Sequence, residues 1–145
     1  MKKLPPLEKV YEAWTALADH RVDLKEGYAD VSSSDGEKSY VVTFSGNQYS
    51  SDDNATFWQG YPGYPVIAVM MMQNKLPYNK EEAVLWKNIN WTRLNKDHKN
   101  KYAETVKEIA EERHIDLDKS NKEAEKVMEA LKDIPIEIKR KIKPS

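Results

Sequence analysis

Leu7, Val10, Tyr11, Trp14, Leu17 and Ala18 recur in three- and four-residue steps, which lays an apolar stripe along one side of a helix. Pro5 and Pro6 stand where a first helical turn accepts proline, and Asp19-His20 closes the segment, so a helix is predicted over 5–19. The period then shortens to two. Val22 and Leu24 alternate with Asp23 and Lys25, and beyond Gly27 the apolar positions Ala29 and Val31 take the opposite parity, which predicts a bulge at the glycine. From Ser39 to Ser45 the chain alternates again, with Tyr40, Val42 and Phe44 on one face and Val41 and Thr43 on the other. Asp35-Gly36 between the runs supplies the φ > 0 positions of a tight turn, so 28–33 and 38–44 should pair as a hairpin.

Ser45-Gly46-Asn47 reads as a turn, Ser50 to Asn54 as a polar loop, and Thr56-Phe57-Trp58 as a short strand. Val66 to Met72 is continuously apolar, which predicts a central strand covered on both faces. From Tyr78 onward helical spacing returns. Asn79 with Glu82 forms a capping-box variant ahead of Ala83, Leu85, Trp86 and Ile89. Tyr102, Val106, Ile109 and Ala110 mark a second helix that His114 to Asp118 interrupts. Ser120-Asn121-Lys122-Glu123 opens a third, with Ala124, Val127, Met128 and Leu131 inward. Ile134, Ile136 and Ile138 alternate like a strand, whereas Ile134, Ile138 and Ile142 fit a helix with Pro135 in its first turn; a short helix is expected. The fold expected is a single α+β domain over 1–145: an N-terminal helix (5–19), a small, mostly antiparallel sheet of three to four strands within 21–72, and C-terminal helices (79–142) packed on one sheet face.

Composition narrows the chemistry. The 145 residues suffice for a core without covalent staples, and the absence of cysteine removes disulfide frameworks, thiol nucleophiles and thiolate metal centres. With 23 Lys+Arg against 24 Asp+Glu, the net charge of −1 gives no electrostatic mandate for nucleic acid. Mean hydropathy is −0.82, yet a 39% hydrophobic content argues against a disordered chain. No long apolar run follows Met1-Lys2-Lys3, so a soluble, cytoplasmic protein with no membrane partner is expected.

Few motifs carry chemistry. A glycine-rich phosphate loop, a G-x-S-x-G turn and an H-E-x-x-H pair are all absent. His20, His98 and His114 fall near helix ends without ligand spacing and read as caps. Asp52-Asp53-Asn54 lacks the alternating frame of a calcium loop, and the carboxylate pairs Glu81-Glu82 and Glu111-Glu112 read as solvated faces. No metal and no cofactor is expected. The basic run Lys139-Arg140-Lys141-Ile142-Lys143 is read as solvated.

Phe57 to Pro65 stands apart, with four aromatics, two prolines and two glycines in nine residues. Prolines fix φ, and rings held that way can line a pocket or stack on a flat ligand. Trp58, Tyr61 and Tyr64, with Trp86 and Arg93 downstream, are therefore the candidate ligand-binding residues. The expected function is a binding or interaction protein that uses this loop, with at least one of Tyr61 and Tyr64 largely exposed. A homodimer through the loop and the outer sheet face is compatible with it; a loop folded back as a core lid is the structural alternative. Two other functions compete. One is a small enzyme with a pocket between 57–65 and the helix over 80–94, in which His98 acts. The other is a nucleic-acid binder using Arg93, Lys96, Lys99, Lys101, Arg140 and Lys141.

Overall fold

The computed structural model of the chain describes residues 3–97 and 101–141. Helix α1 (Glu8–Ala18) buries Val10 to Ala16 without a gap, Glu12 and Thr15 included. A helix buried all round needs neighbours on every side, and α1 has them. His20 ends its last turn at φ 56 and sends the chain into the sheet.

Five strands lie in the order β1-β2-β3-β4-β5. Strands β1 (Val22–Leu24), β2 (Tyr28–Ser32), β3 (Ser39–Ser45) and β4 (Gln48–Ser51) pair antiparallel, and β5 (Glu137–Ile138) joins β4 in parallel. The register sets Val31 opposite Val22 and Tyr40, and Val42 opposite Ala29 and Ser51. Those residues, with Tyr49, form the inner face; Asp23, Asp30, Ser39 and Val41 form the outer one. Helix α2 (Tyr64–Met72) covers the inner face and carries α1 on its other side. Helices α3 (Lys80–Leu85), α5 (Tyr102–Arg113) and α6 (Leu117–Asp133) pack against α1, and α4 (Trp91–Asp97) leans on α5.

The fold is α+β with an N-terminal helix, as the patterning predicts, and the Asp35-Gly36 hairpin pairs Tyr28 through Ser32 with Ser39 through Thr43. Val66 to Met72, expected as a strand and as the end of the sheet region, is instead helix α2. Its residues Val66 to Met71 are buried, so the expected double cover is present, between sheet and α1. Pro65 in the first turn, after an extended Gly63, starts a helix there. Continuous apolar runs lack the periodicity that separates strand from helix.

Gly27 marks a reversal rather than a bulge: at φ 83 it turns β1 into β2, which accounts for the change of parity. The polar stretch Gln48–Ser51 is a strand, and Thr56 to Trp58 belongs to a π-helical turn, Ala55–Gln59. The expected short helix after Ile134 is replaced by β5, so the helical region ends at Asp133. Ile134 precedes proline and is pushed to ψ 127. Glu137 N–H then bonds Asn47 O at 2.9 Å and Lys139 N–H bonds Tyr49 O at 2.8 Å. Helix α6 starts four residues early, capped by Asp116 rather than Ser120. Ser120, free of that duty, turns inward, donates to a Glu82 carboxylate oxygen and accepts from Trp86 Nε1.

Candidate functional site

A cavity of about 710 Å³ opens between α1, the β2–β3 hairpin, the loop before α2 and the start of α4. The loop is folded by its own polar groups. Asp53 accepts from Ser51 Oγ and from Thr56 N–H, and Thr56 Oγ1 accepts from Gly63 N–H at 2.9 Å. Gly63 thereby lies so close to Asp53 that a Cβ would collide with Oδ2. The residues between form the π-helical turn, which Gly60 ends at φ 75. Such wide turns are uncommon and recur at functional sites. Lys3 Nζ donates to the exposed Gln59 carbonyl at 3.0 Å.

Aromatic rings wall the cavity. Tyr40 and Tyr64 meet edge to face, with centroids 6.3 Å apart. Tyr61, Trp58, Trp91 and Tyr102 complete the lining. Trp58 stands at the rim, 66% exposed, and packs on Phe57. Arg140 lies 5.3 Å from the Phe57 ring and 5.7 Å from that of Trp58.

Charged groups occupy the same walls. Glu12, 5% exposed, pairs with Lys9 Nζ at 3.2 Å and accepts from Asn95 Nδ2 at 3.2 Å. Burial pushes the Glu12 carboxyl up, against the pull of Lys9 and Asn95. Burial opposes the charge on Lys9 as well, but Glu12 and the neighbouring Tyr102 outweigh it and hold the ammonium pKa above its ordinary value. The Tyr64 hydroxyl is driven up by burial despite the Arg21 guanidinium beside it. Arg21 Nη1 donates to Ser32 O. Arg21 Nη2 and Asn95 Oδ1 are buried with no hydrogen-bond partner among the described residues. Buried polar atoms of that kind call for an explanation, each costing about 1–3 kcal/mol when left unpaired.

Of the residues the sequence singles out, Trp58, Tyr61 and Tyr64 come together on this cavity. Tyr61 and Tyr64 are both half-buried, so the largely exposed ring of the loop is Trp58 rather than either tyrosine. Trp86 does not join them. It is wholly buried, stacked on Trp91 at 6.5 Å and set edge-on to Tyr11 at 4.4 Å. Arg93 is also apart: its side chain is 79% exposed and lies 3.9 Å from Asp97. Of the span 80–94 that the enzyme reading set against the loop, Trp91 and Thr92 at the start of α4 line the cavity, and α3 does not. His98 and Lys99 lie outside the described residues, as does the basic run beyond Lys141.

Sequence reasoning missed Lys9, Glu12, Arg21, Lys38, Tyr40 and Asn95. One signal was present: Ala13 and Ala16 lie off the apolar stripe of the first helix, as expected of a helix enclosed on all sides. Among the described residues no group of three or more His, Asp or Glu could hold a metal ion. No described helix is long and apolar enough to cross a membrane. Neither a curated protein nor a solved structure matches the chain. A family profile matches residues 2–137, and the chain belongs to that family, described as uncharacterised conserved protein UCP014422.

Proposed function

We propose that the protein binds a small polar molecule in the cavity between the aromatic loop and α1. The observation that carries this reading is the set of buried polar atoms on its wall, Asn95 Oδ1 and Arg21 Nη2, which no protein group satisfies among the described residues. A ligand with complementary groups would recover that cost, and rings at Tyr40, Tyr61 and Tyr64 would hold its flat part. The volume of about 710 Å³ falls in the range of ligand pockets, roughly 300–1,000 Å³.

A screen of nucleotides, ring carboxylates, sugar phosphates and amino acids by thermal unfolding tests the reading. A ligand present at 100 times its Kd adds about 2.7 kcal/mol. Ala55→Phe, which places a ring in the cavity, should unfold like the wild type alone and lose the ligand-induced shift. A shift retained in Ala55→Phe would place binding elsewhere, and no shift with any compound would count against a ligand site.

One observation favours a second reading, an enzyme with Glu12 as general acid. Its carboxyl is raised by burial within a cavity, as proton-transferring groups often are. Turnover of a bound compound, lost in Glu12→Gln with binding retained, would select that reading.

A further inference from the structure

The cavity's charges are not balanced, and the imbalance sits at one end. Glu12 is paired with Lys9 at 3.2 Å, and Asp53 accepts from Ser51 and Thr56 within its own loop. That leaves Arg21 and Lys38 as the cations of the lining without a close carboxylate in it. Asp19 is the nearest carboxylate to Arg21, 3.8 Å from Nε, and Asp35 on the hairpin tip is the acid that feels Lys38. Asp35 is already occupied by Ser33 Oγ at 2.6 Å and Glu37 N–H at 3.0 Å.

The sheet brings the two cations together. Ser32 N–H bonds Arg21 O at 3.0 Å, and Ser33 N–H bonds Lys38 O at 2.8 Å. Arg21 and Lys38 thus flank the end of β2 on either side, about two strand spacings or 10 Å apart in backbone. Side chains of this length can converge on one group between them. Arg21 is fixed by its bond to Ser32 O and presents an unpartnered Nη2.

We propose that the ligand is an anion carrying a flat ring, with its acidic group, a carboxylate or a phosphate monoester, held by Arg21 and Lys38 and its ring among the cavity tyrosines. The proposal rests on the cavity being a ligand site. An unused guanidinium N–H gains most from a charged acceptor, because a charge-assisted hydrogen bond is roughly twice as strong as a neutral one.

Isothermal titration with two matched pairs tests it: adenosine against adenosine 5′-monophosphate, and indole against indole-3-acetate. In at least one pair the anion should bind about tenfold more tightly than its neutral partner, the worth of one charge-assisted hydrogen bond. The two pairs separate the phosphate source from the carboxylate. That advantage should shrink in Lys38→Gln, an exposed position whose loss leaves the fold intact, and vanish in Arg21→Gln. Equal binding of both members of each pair, or an advantage unchanged in Lys38→Gln and Arg21→Gln, overturns the anion assignment while leaving the cavity as a ligand site. Inorganic phosphate binding as tightly as the nucleotide removes the ring from the proposal. Binding by none of the four overturns it as well, and the wider screen with Ala55→Phe then decides separately whether the cavity binds anything.

Discussion

Gly63→Ala probes the contact that shapes the site. Gly63 adopts φ −74 and ψ 178, a conformation alanine takes without strain, so only the added methyl group can matter. That methyl would collide with Asp53 Oδ2 and lie 3.1 Å from both Asp53 Cγ and Thr56 Oγ1. To make room, Asp53 must give up its bond from Thr56 N–H at 3.1 Å or the loop must open. Overpacking costs about 1–3 kcal/mol, and a hydrogen bond to a charged acceptor about 1.5–3 kcal/mol. Partial relaxation makes a loss of about 2–4 kcal/mol the expectation for urea unfolding followed by circular dichroism. The assignment to Asp53 is tested by a double-mutant cycle: in an Asp53→Ala background Gly63→Ala should cost about 1 kcal/mol or less. Gly36→Ala serves as contrast. No atom lies within 4 Å of its Cβ position, but φ is +75, so it should lose about 1 kcal/mol through backbone strain alone, independently of Asp53. A neutral Gly63→Ala, or one equally costly without the Asp53 carboxylate, would refute the reasoning.

Val69→Asp would bury a carboxylate between the sheet and α1 and should cost several kcal/mol, enough to abolish near-ultraviolet dichroism; an unchanged unfolding midpoint would mean that α2 is not enclosed. Glu12 is raised above its ordinary 4.5 in the folded chain, so the folded state holds a proton the unfolded state releases. Its contribution is greatest below that value and is lost as pH rises through the raised one. Glu12→Gln should remove that stretch of slope, and superimposable stability–pH curves for the two proteins would rule out burial as the governing influence. Asn79 caps α3 by accepting from Glu82 N–H at 3.0 Å, and Asn79→Ala should cost about 1 kcal/mol in chemical unfolding, with no loss counting against the cap.

The hairpin at Asp35-Gly36 and the cap at Asn79 were readable because everything that decides them lies within a few residues. Helix α2 was readable only in part. Its burial follows from Val66 to Met71 alone, but the choice between strand and helix normally rests on which positions face water, and none of those six does. Strands β4 and β5 needed information from further away. Gln48-Tyr49-Ser50-Ser51 has little strand character of its own and is held between Val42 to Ser45 on one side and Glu137-Ile138 on the other. The Ile134 to Ile138 alternation was the correct sign for β5, yet only its neighbour almost ninety residues earlier in the chain makes it a strand.

The site divides along the same line. Trp58, Tyr61 and Tyr64 announced themselves because aromatics, prolines and glycines crowd into one short segment, and local composition is visible in a sequence. The charged half had no such concentration. Lys9 and Glu12 sit three residues apart on a helix, the spacing of an ordinary surface pair worth about 0.3–0.5 kcal/mol. The identical spacing, once enclosed, becomes a pair whose disruption costs about 3–5 kcal/mol. Nothing between Lys9 and Glu12 distinguishes the two cases. The distinction is made by Asn95, 83 residues away, which reaches Glu12 from α4, and by the ring of Tyr102, 4.7 Å from the Lys9 ammonium. Burial is a property of the assembled neighbourhood, so two residues whose spacing alone is that of a surface pair become, under α4 and the aromatic loop, the polar floor of a cavity.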